Sequence, residues 1–180
     1  MIKLINLLNE NSAKPYDYGC VMLYFDFPYI NKIHDIINPN DIYKDEEDPS
    51  FGLENEPHCT LLYGLHEEVS TKDVSKVIEN FTFGNCKLHN ASLFNNEKYD
   101  VLKFDVTGPV LHDVNDKLKS FPYTSNFPNY HPHSTIAYLK PGTGKKYTEM
   151  LKNQEFKLKP QYAVFSHPDG SKNKIKIKLK

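Results

Sequence analysis

Apolar and polar residues alternate most strictly near the start of the chain. Val21, Leu23, Phe25 and Phe27 take one parity, and Met22, Tyr24 and Asp26 the other. That is the period-two pattern of a strand with one buried face, and Pro28 stops it. The spacing then changes: Tyr29, Ile30, Ile33, Ile36 and Ile37 fit a helix over 29–37. Residues 38–57 lose periodicity, with Pro39, Pro49, Gly52 and Pro57 around an acidic run from Asp45 to Asp48. They predict a long loop, the kind of segment that serves as a lid or binding element. A strand follows from His58 to Gly64. A helix follows from Ser70 to Asn80, with Val74, Val77 and Ile78 as its stripe and Ser70 or Thr71 as its cap.

Residues 87–94 and 101–106 read as paired strands around an Asn95-Asn96 turn. Leu111 to Leu118 reads as a helix, Pro122, Pro128 and Pro132 as an irregular approach, and His133 to Leu139 as a strand ended by Pro141-Gly142. A short helix is expected over 148–151, and Ile2 to Leu8 suggests another. Residues 156–165 predict a strand in which Pro160 implies an edge position or a break. A turn at 167–170 leads to a last strand over 175–179, whose Ile175, Ile177 and Leu179 form one face. The order suggests an α+β fold: a bilobal, duplicated β-α-β plan with antiparallel sheets, in a single domain over 1–180.

Two of these strands open on the same phrase. His58-Cys59-Thr60-Leu61-Leu62 and His133-Ser134-Thr135-Ile136-Ala137 are each His-x-Thr followed by an apolar pair, about 75 residues apart. Side chains alternate along a strand, so His58 and Thr60 share a face, as do His133 and Thr135. Strict alternation extends those faces to Leu62 and Gly64, and to Ala137 and Leu139. It sends Tyr63 and Tyr138 the other way, as packing residues. Two imidazoles can supply the base and the acid that phosphodiester cleavage needs, because an unperturbed histidine titrates near pH 6.5. Two hydroxyls can hydrogen-bond the non-bridging oxygens. The expected catalytic set is His58, Thr60, His133 and Thr135, with no metal and no cofactor. A metal reading of His131-Pro132-His133 finds no acidic or thiol partner nearby in sequence.

Composition narrows the partners. A net charge of −1 at 39% hydrophobic content excludes a basic nucleic-acid coat. All 22 basic residues are lysine, so no arginine fork is available for phosphate. Three well-separated cysteines, Cys20, Cys59 and Cys86, suggest a reduced cytoplasmic protein. No signal peptide or membrane-length apolar run appears.

His58-Cys59-Thr60-Leu61 and His133-Ser134-Thr135-Ile136 resemble the paired His-x-[Thr/Ser]-x motifs of the 2H phosphoesterase superfamily. The resemblance runs from Val21 to about Phe165, and it implies a bilobal α+β fold with those four residues facing a groove. Glu56-Pro57-His58-Cys59-Thr60-Leu61-Leu62-Tyr63-Gly64-Leu65-His66 is similar to the phage anti-CBASS phosphodiesterases. That likeness implies a cyclic di- or trinucleotide substrate, cleavage of its 3′–5′ bonds by 2′-OH attack, and a role against bacterial antiphage defence in the host cytoplasm. Which histidine is acid and which is base stays open, and no membrane or protein partner is implied. Such relatives hold bases with aromatic rings. With no tryptophan in the chain, the substrate-binding ring must come from Tyr, Phe or His; Tyr24 is the candidate, and its alternative is an ordinary half-buried tyrosine. The alternatives are a 2′,3′-cyclic phosphodiesterase acting on RNA or nucleotides, and a non-catalytic module that sequesters a nucleotide.

Overall fold

The computed structural model describes residues 16–127 and 129–180. The helix expected at 2–8 and the Pro128 part of the irregular approach lie outside them. The described strands are β1 (Gly19–Asp26), β2 (His58–Leu65), β3 (Thr82–Phe83), β4 (Cys86–Asn95), β5 (Asp100–Thr107), β6 (His133–Leu139), β7 (Phe156–Ser166), β8 (Lys172–Ile175) and β9 (Lys178–Leu179). The helices are α1 (Ile30–His34), α2 (Thr71–Glu79), α3 (Leu111–Leu118) and α4 (Lys145–Leu151).

The main sheet runs β2-β1-β7-β4-β5-β6, with β8 added on β7. Every pair in it is antiparallel. A separate parallel pair joins β3 to β9. The protein is therefore α+β, and the two His-x-Thr strands are the two ends of one strand order. They nonetheless pack against each other. Val74, Val77 and Ile78 of α2 and Leu111, Val114 and Leu118 of α3 join Val21, Leu23, Cys59 and Leu88 in one core. A reciprocal Ser70–Asp73 capping box starts α2, satisfying donors the first turn leaves open. No described helix is long and apolar enough to cross a membrane.

Strand parity departs from strict alternation at matching places. Met22 pairs with Thr60 and Val21 with Leu62, so Leu61 is an extra residue in β2. Lys103 pairs with Thr135 and Leu102 with Ala137, so Ile136 is the extra residue in β6. A bulge reverses the parity beyond it. Leu61 and Leu62 are both buried, as are Ile136 and Ala137. Leu62, Gly64, Ala137 and Leu139 thus leave the histidine face, and Tyr63 and Tyr138 join it. Tyr63 is 45% exposed and lies opposite Cys20, while Tyr138 lies opposite Val101.

The carbonyl at each bulge meets a buried polar side chain from a helix. Asn115 of α3 donates to Leu61 O at 2.6 Å, and His34 Nε2 of α1 lies 3.1 Å from Ile136 O. Backbone groups that fall out of a ladder need such partners when buried.

Other expectations also change. Strand β7 is central, not an edge. Its start pairs with β4, and its remainder pairs with β1. Pro160 sits beside an irregularity in the β1 register, close to where the partner changes, which accommodates its missing N–H. The last strand splits into β8 and β9, so Ile175 is buried while Leu179 is 42% exposed. The 38–57 segment is tied along β6. Tyr43 N donates to Tyr138 O at 2.9 Å, Tyr138 N to Gly52 O at 2.7 Å, and Glu54 N to Ile136 O at 2.9 Å. Ring contacts link Tyr43, Phe51, Tyr99 and Tyr138. The segment therefore covers the outer edge of β6, which explains how a strand at the end of the order avoids an open edge.

Candidate active site

His58 and His133 begin the two terminal strands, and both are half-buried with their threonines. The two motifs approach through Tyr130, whose hydroxyl donates to Thr60 O at 3.0 Å and lies 3.8 Å from Cys59 Sγ. The two imidazoles are near enough for the charge of His58 to disfavour protonation of His133.

Each imidazole is held in the same way. His58 Nδ1 lies 2.9 Å from Glu56 O, and His133 Nδ1 lies 2.8 Å from His131 O. A carbonyl only accepts, so each Nδ1 is the protonated nitrogen in these contacts, and neither Nε2 has a partner among the described residues. A ring also flanks each one. Tyr24, opposite His58, has its centroid 5.1 Å from that imidazole, and the Phe94 centroid lies 5.0 Å from His133.

Beyond these shared features the two halves differ. Beside β2, Thr60 faces Met22 and is in hydrogen-bond reach of the Cys20 thiol. Tyr24 stacks on Tyr162 at 5.2 Å, and Lys174 Nζ sits 3.5 Å from the Tyr162 ring centroid. The row His58–Tyr24–Tyr162–Lys174 thus crosses four adjacent strands. Burial, with Glu56 and Glu54 nearby, pushes the Tyr24 phenol up to about 12, so it stays neutral.

Beside β6, Asp105 faces His133 and Lys103 faces Thr135. Lys103 Nζ donates to Asp105 Oδ1 at 2.6 Å and Ser92 Oγ at 2.9 Å, and it sits 4.6 Å from the Phe94 centroid. Burial opposes ionisation of Asp105, but the hydrogen bonds from Lys103 and Asn90 outweigh it and hold the carboxyl below its ordinary range. His133 is held below the ordinary histidine value, chiefly by burial. The His131 carbonyl opposes that shift, and the Lys103 charge adds to it. A neutral imidazole with a free Nε2 is the form that can accept a proton.

The structure therefore brings together the four residues expected from the motif, with Tyr24 beside His58. Lys103, Asp105, Ser92, Phe94, Tyr162 and Lys174 were not apparent from the sequence. Each enters the site through strand register, and no local motif marks it. Burial pushes the thiols of Cys20, Cys59 and Cys86 up to about 12, so none is an activated nucleophile. A cleft of about 530 Å³ lies elsewhere, lined by Cys86, Lys87, Thr107 and Phe156 among others. No group of three described His, Cys, Asp or Glu side chains is placed to hold a metal ion.

No protein-family model and no curated protein matches the chain. Among solved structures it is similar to E. coli LigT complexed with 3′-AMP, at 14% identity over 89% of this chain and 96% of that one, with a TM-score of 0.46. A crystal structure described as a phosphoesterase gives 14% identity over the same shares and a TM-score of 0.47. E. coli LigT complexed with NADP+ gives 17% identity, again over 89% and 96%, with a TM-score of 0.45.

Proposed function

We propose that the protein is a 2H-type phosphodiesterase that cleaves a nucleotide diester without a metal ion, using His58, Thr60, His133 and Thr135. The observation that carries this reading is the shared Nδ1-to-carbonyl bond, with no partner at either Nε2 among the described residues. Binding alone gives no reason for two imidazoles prepared in the same way, so the sequestering module is disfavoured.

In this reading His133 is the base and His58 the acid. His133 Nε2 takes the proton of an attacking ribose 2′-OH, whose oxygen bonds to phosphorus as the P–O5′ bond breaks. His58 Nε2–H gives its proton to the departing O5′. The hydroxyls of Thr60 and Thr135 donate to the non-bridging oxygens, a role left to them and to lysine because the chain has no arginine. Tyr24 on one side and Phe94 on the other are placed to meet the bases flanking the phosphate. The substrate proposed is a cyclic di- or trinucleotide, and the role is cleavage of such signals in bacterial antiphage defence. This narrower part rests on the likeness of residues 56–66 to the phage enzymes. A 2′,3′-cyclic phosphate substrate is the second reading, and the same four residues serve it.

The test is product analysis after incubation with EDTA and a panel of cyclic dinucleotides, cyclic trinucleotides and RNA ending in a 2′,3′-cyclic phosphate. Turnover of a cyclic oligonucleotide in EDTA is expected. Loss of turnover on chelation overturns the metal-free mechanism. Cleavage of the RNA end alone overturns the cyclic-oligonucleotide assignment.

A further inference from the structure

The 38–57 segment ties the two motifs together through a single residue. Glu54 N–H donates to Ile136 O at 2.9 Å, at the bulge just after Thr135. Leu53 bridges to Ala137, and Tyr138 N bonds Gly52 O at 2.7 Å, so this backbone is fixed on β6. The Glu54 side chain points to the other motif. Its Oε1 accepts from Glu56 N–H at 2.8 Å, and its Oε2 lies 3.9 Å from His58 Nδ1. Glu56 O, two residues further on, is the carbonyl that holds the same Nδ1. Both side chains are shielded, at 22% exposure for Glu54 and 25% for His58.

We propose that Glu54 is a positioning residue that holds His58 in its ring orientation and its Nδ1–H tautomer, from a backbone anchored on the strand of the second motif. The proposal rests on the phosphodiesterase reading above, in which His58 is the proton donor. The Glu54 carboxylate fixes the turn that presents the Glu56 carbonyl, and puts a negative charge on the Nδ1–H side of the ring.

The other groups facing His58 leave that effect to the loop. Tyr24 of β1 is a neutral phenol, and His133 of β6 is held toward its neutral form. Glu56 meets the ring through its backbone oxygen. Around His133 the arrangement is different, because a buried lysine stands beside its aspartate. The motifs are alike in spelling, and Glu54 supplies one of the differences that separates acid from base. The anchor also makes the geometry of the first histidine depend on the strand that carries the second.

Two variants test this. Glu54→Gln keeps the shape and removes the charge, and Glu54→Asp keeps the charge and shortens the reach. The ring nitrogens of His58 are followed by 15N NMR across pH, and kcat and KM are measured on a diester that the wild type cleaves. In Glu54→Gln the 15N spectrum is expected to show a mixture of the two neutral His58 tautomers where the wild type shows the Nδ1–H form. The kcat should fall about tenfold near neutral pH with KM within about twofold, and Glu54→Asp should recover part of both. An unchanged His58 tautomer in Glu54→Gln overturns the proposal whatever the activity. Equal kcat losses in both variants with unchanged pH profiles overturn it as well, since they mark a merely structural role. A wild type that cleaves no diester overturns the phosphodiesterase reading instead, and the NMR comparison still decides whether Glu54 governs His58.

Discussion

Lys103→Met removes the buried cation of β5 that faces Thr135 of the second motif. The Lys103 side chain is 8% exposed and its partner Asp105 is 35% exposed. Removing one member of a fully buried pair costs about 3–5 kcal/mol, and an exposed pair contributes only about 0.2–1 kcal/mol. This pair lies between those limits. The 2.6 Å bond to Asp105, the 2.9 Å bond to Ser92 and the 4.6 Å approach to Phe94 all disappear together, while methionine keeps most of the buried chain. The expected loss is about 2 kcal/mol, read from urea denaturation at neutral pH. Asp105→Asn in the same background should recover part of it, giving a coupling energy of about 1 kcal/mol.

The sign with pH follows from Asp105. Its folded-state pKa is depressed, so its contribution is present above the unfolded carboxylate value of about 3.9 and is lost as pH falls through the folded value. The stability gap between wild type and Lys103→Met should therefore narrow in acid below about pH 4. A loss under about 0.5 kcal/mol, or a gap that persists unchanged in acid, refutes the argument that this ion pair stabilises the wall behind His133.

Two further outcomes follow from positions around the motifs. Gly64→Ala should cost about 3 kcal/mol or prevent folding, because Gly64 has φ +106° and an added Cβ would lie 1.9 Å from Thr124 O; urea denaturation checks it. His34 and His133 are both held below the ordinary histidine value, burial being the main cause in each. A depressed histidine pKa means the unfolded chain binds the extra proton first, so stability should fall as pH drops through about 6.5 and level off below the folded values. His34→Gln and His133→Gln should each flatten that slope, measured as denaturation free energy between pH 7.5 and 5.

That His58 shares a face with Thr60, and His133 with Thr135, was legible because two residues spaced by two in a regular strand share a face. Helix α3 and strand β6 were legible to the residue, since Leu111 and Leu118 close an apolar stripe and Pro141-Gly142 ends the strand. Tyr63 and Tyr138 were misplaced because alternation assumes no extra residue. The bulges at Leu61 and Ile136 exist because Asn115 and His34, distant in sequence, meet their carbonyls. Lys103, Asp105 and Phe94 were hidden for a related reason: only the β4–β5–β6 register sets them beside His133. Pro160 argued for an edge or a break, and the break is what occurs: β7 is central, but its register with β1 slips at that residue, close to where its partner changes. The acidic run in the long loop gave no sign that Glu54, six residues after Asp48, reaches His58.

The central claim is that His133 and His58 act as base and acid on one phosphodiester. It is tested most directly by comparing His58→Ala and His133→Ala on two ribonucleotide diesters, one with an ordinary alcohol leaving group and one with a nitrophenolate. On the ordinary diester each variant should lose about 10²–10⁴-fold in kcat. Nitrophenolate departs without being protonated, so on that substrate His58→Ala should recover most of its rate while His133→Ala stays slow. Recovery of His133→Ala instead reverses the assignment, and wild-type rates in either variant on the ordinary diester contradict the site itself.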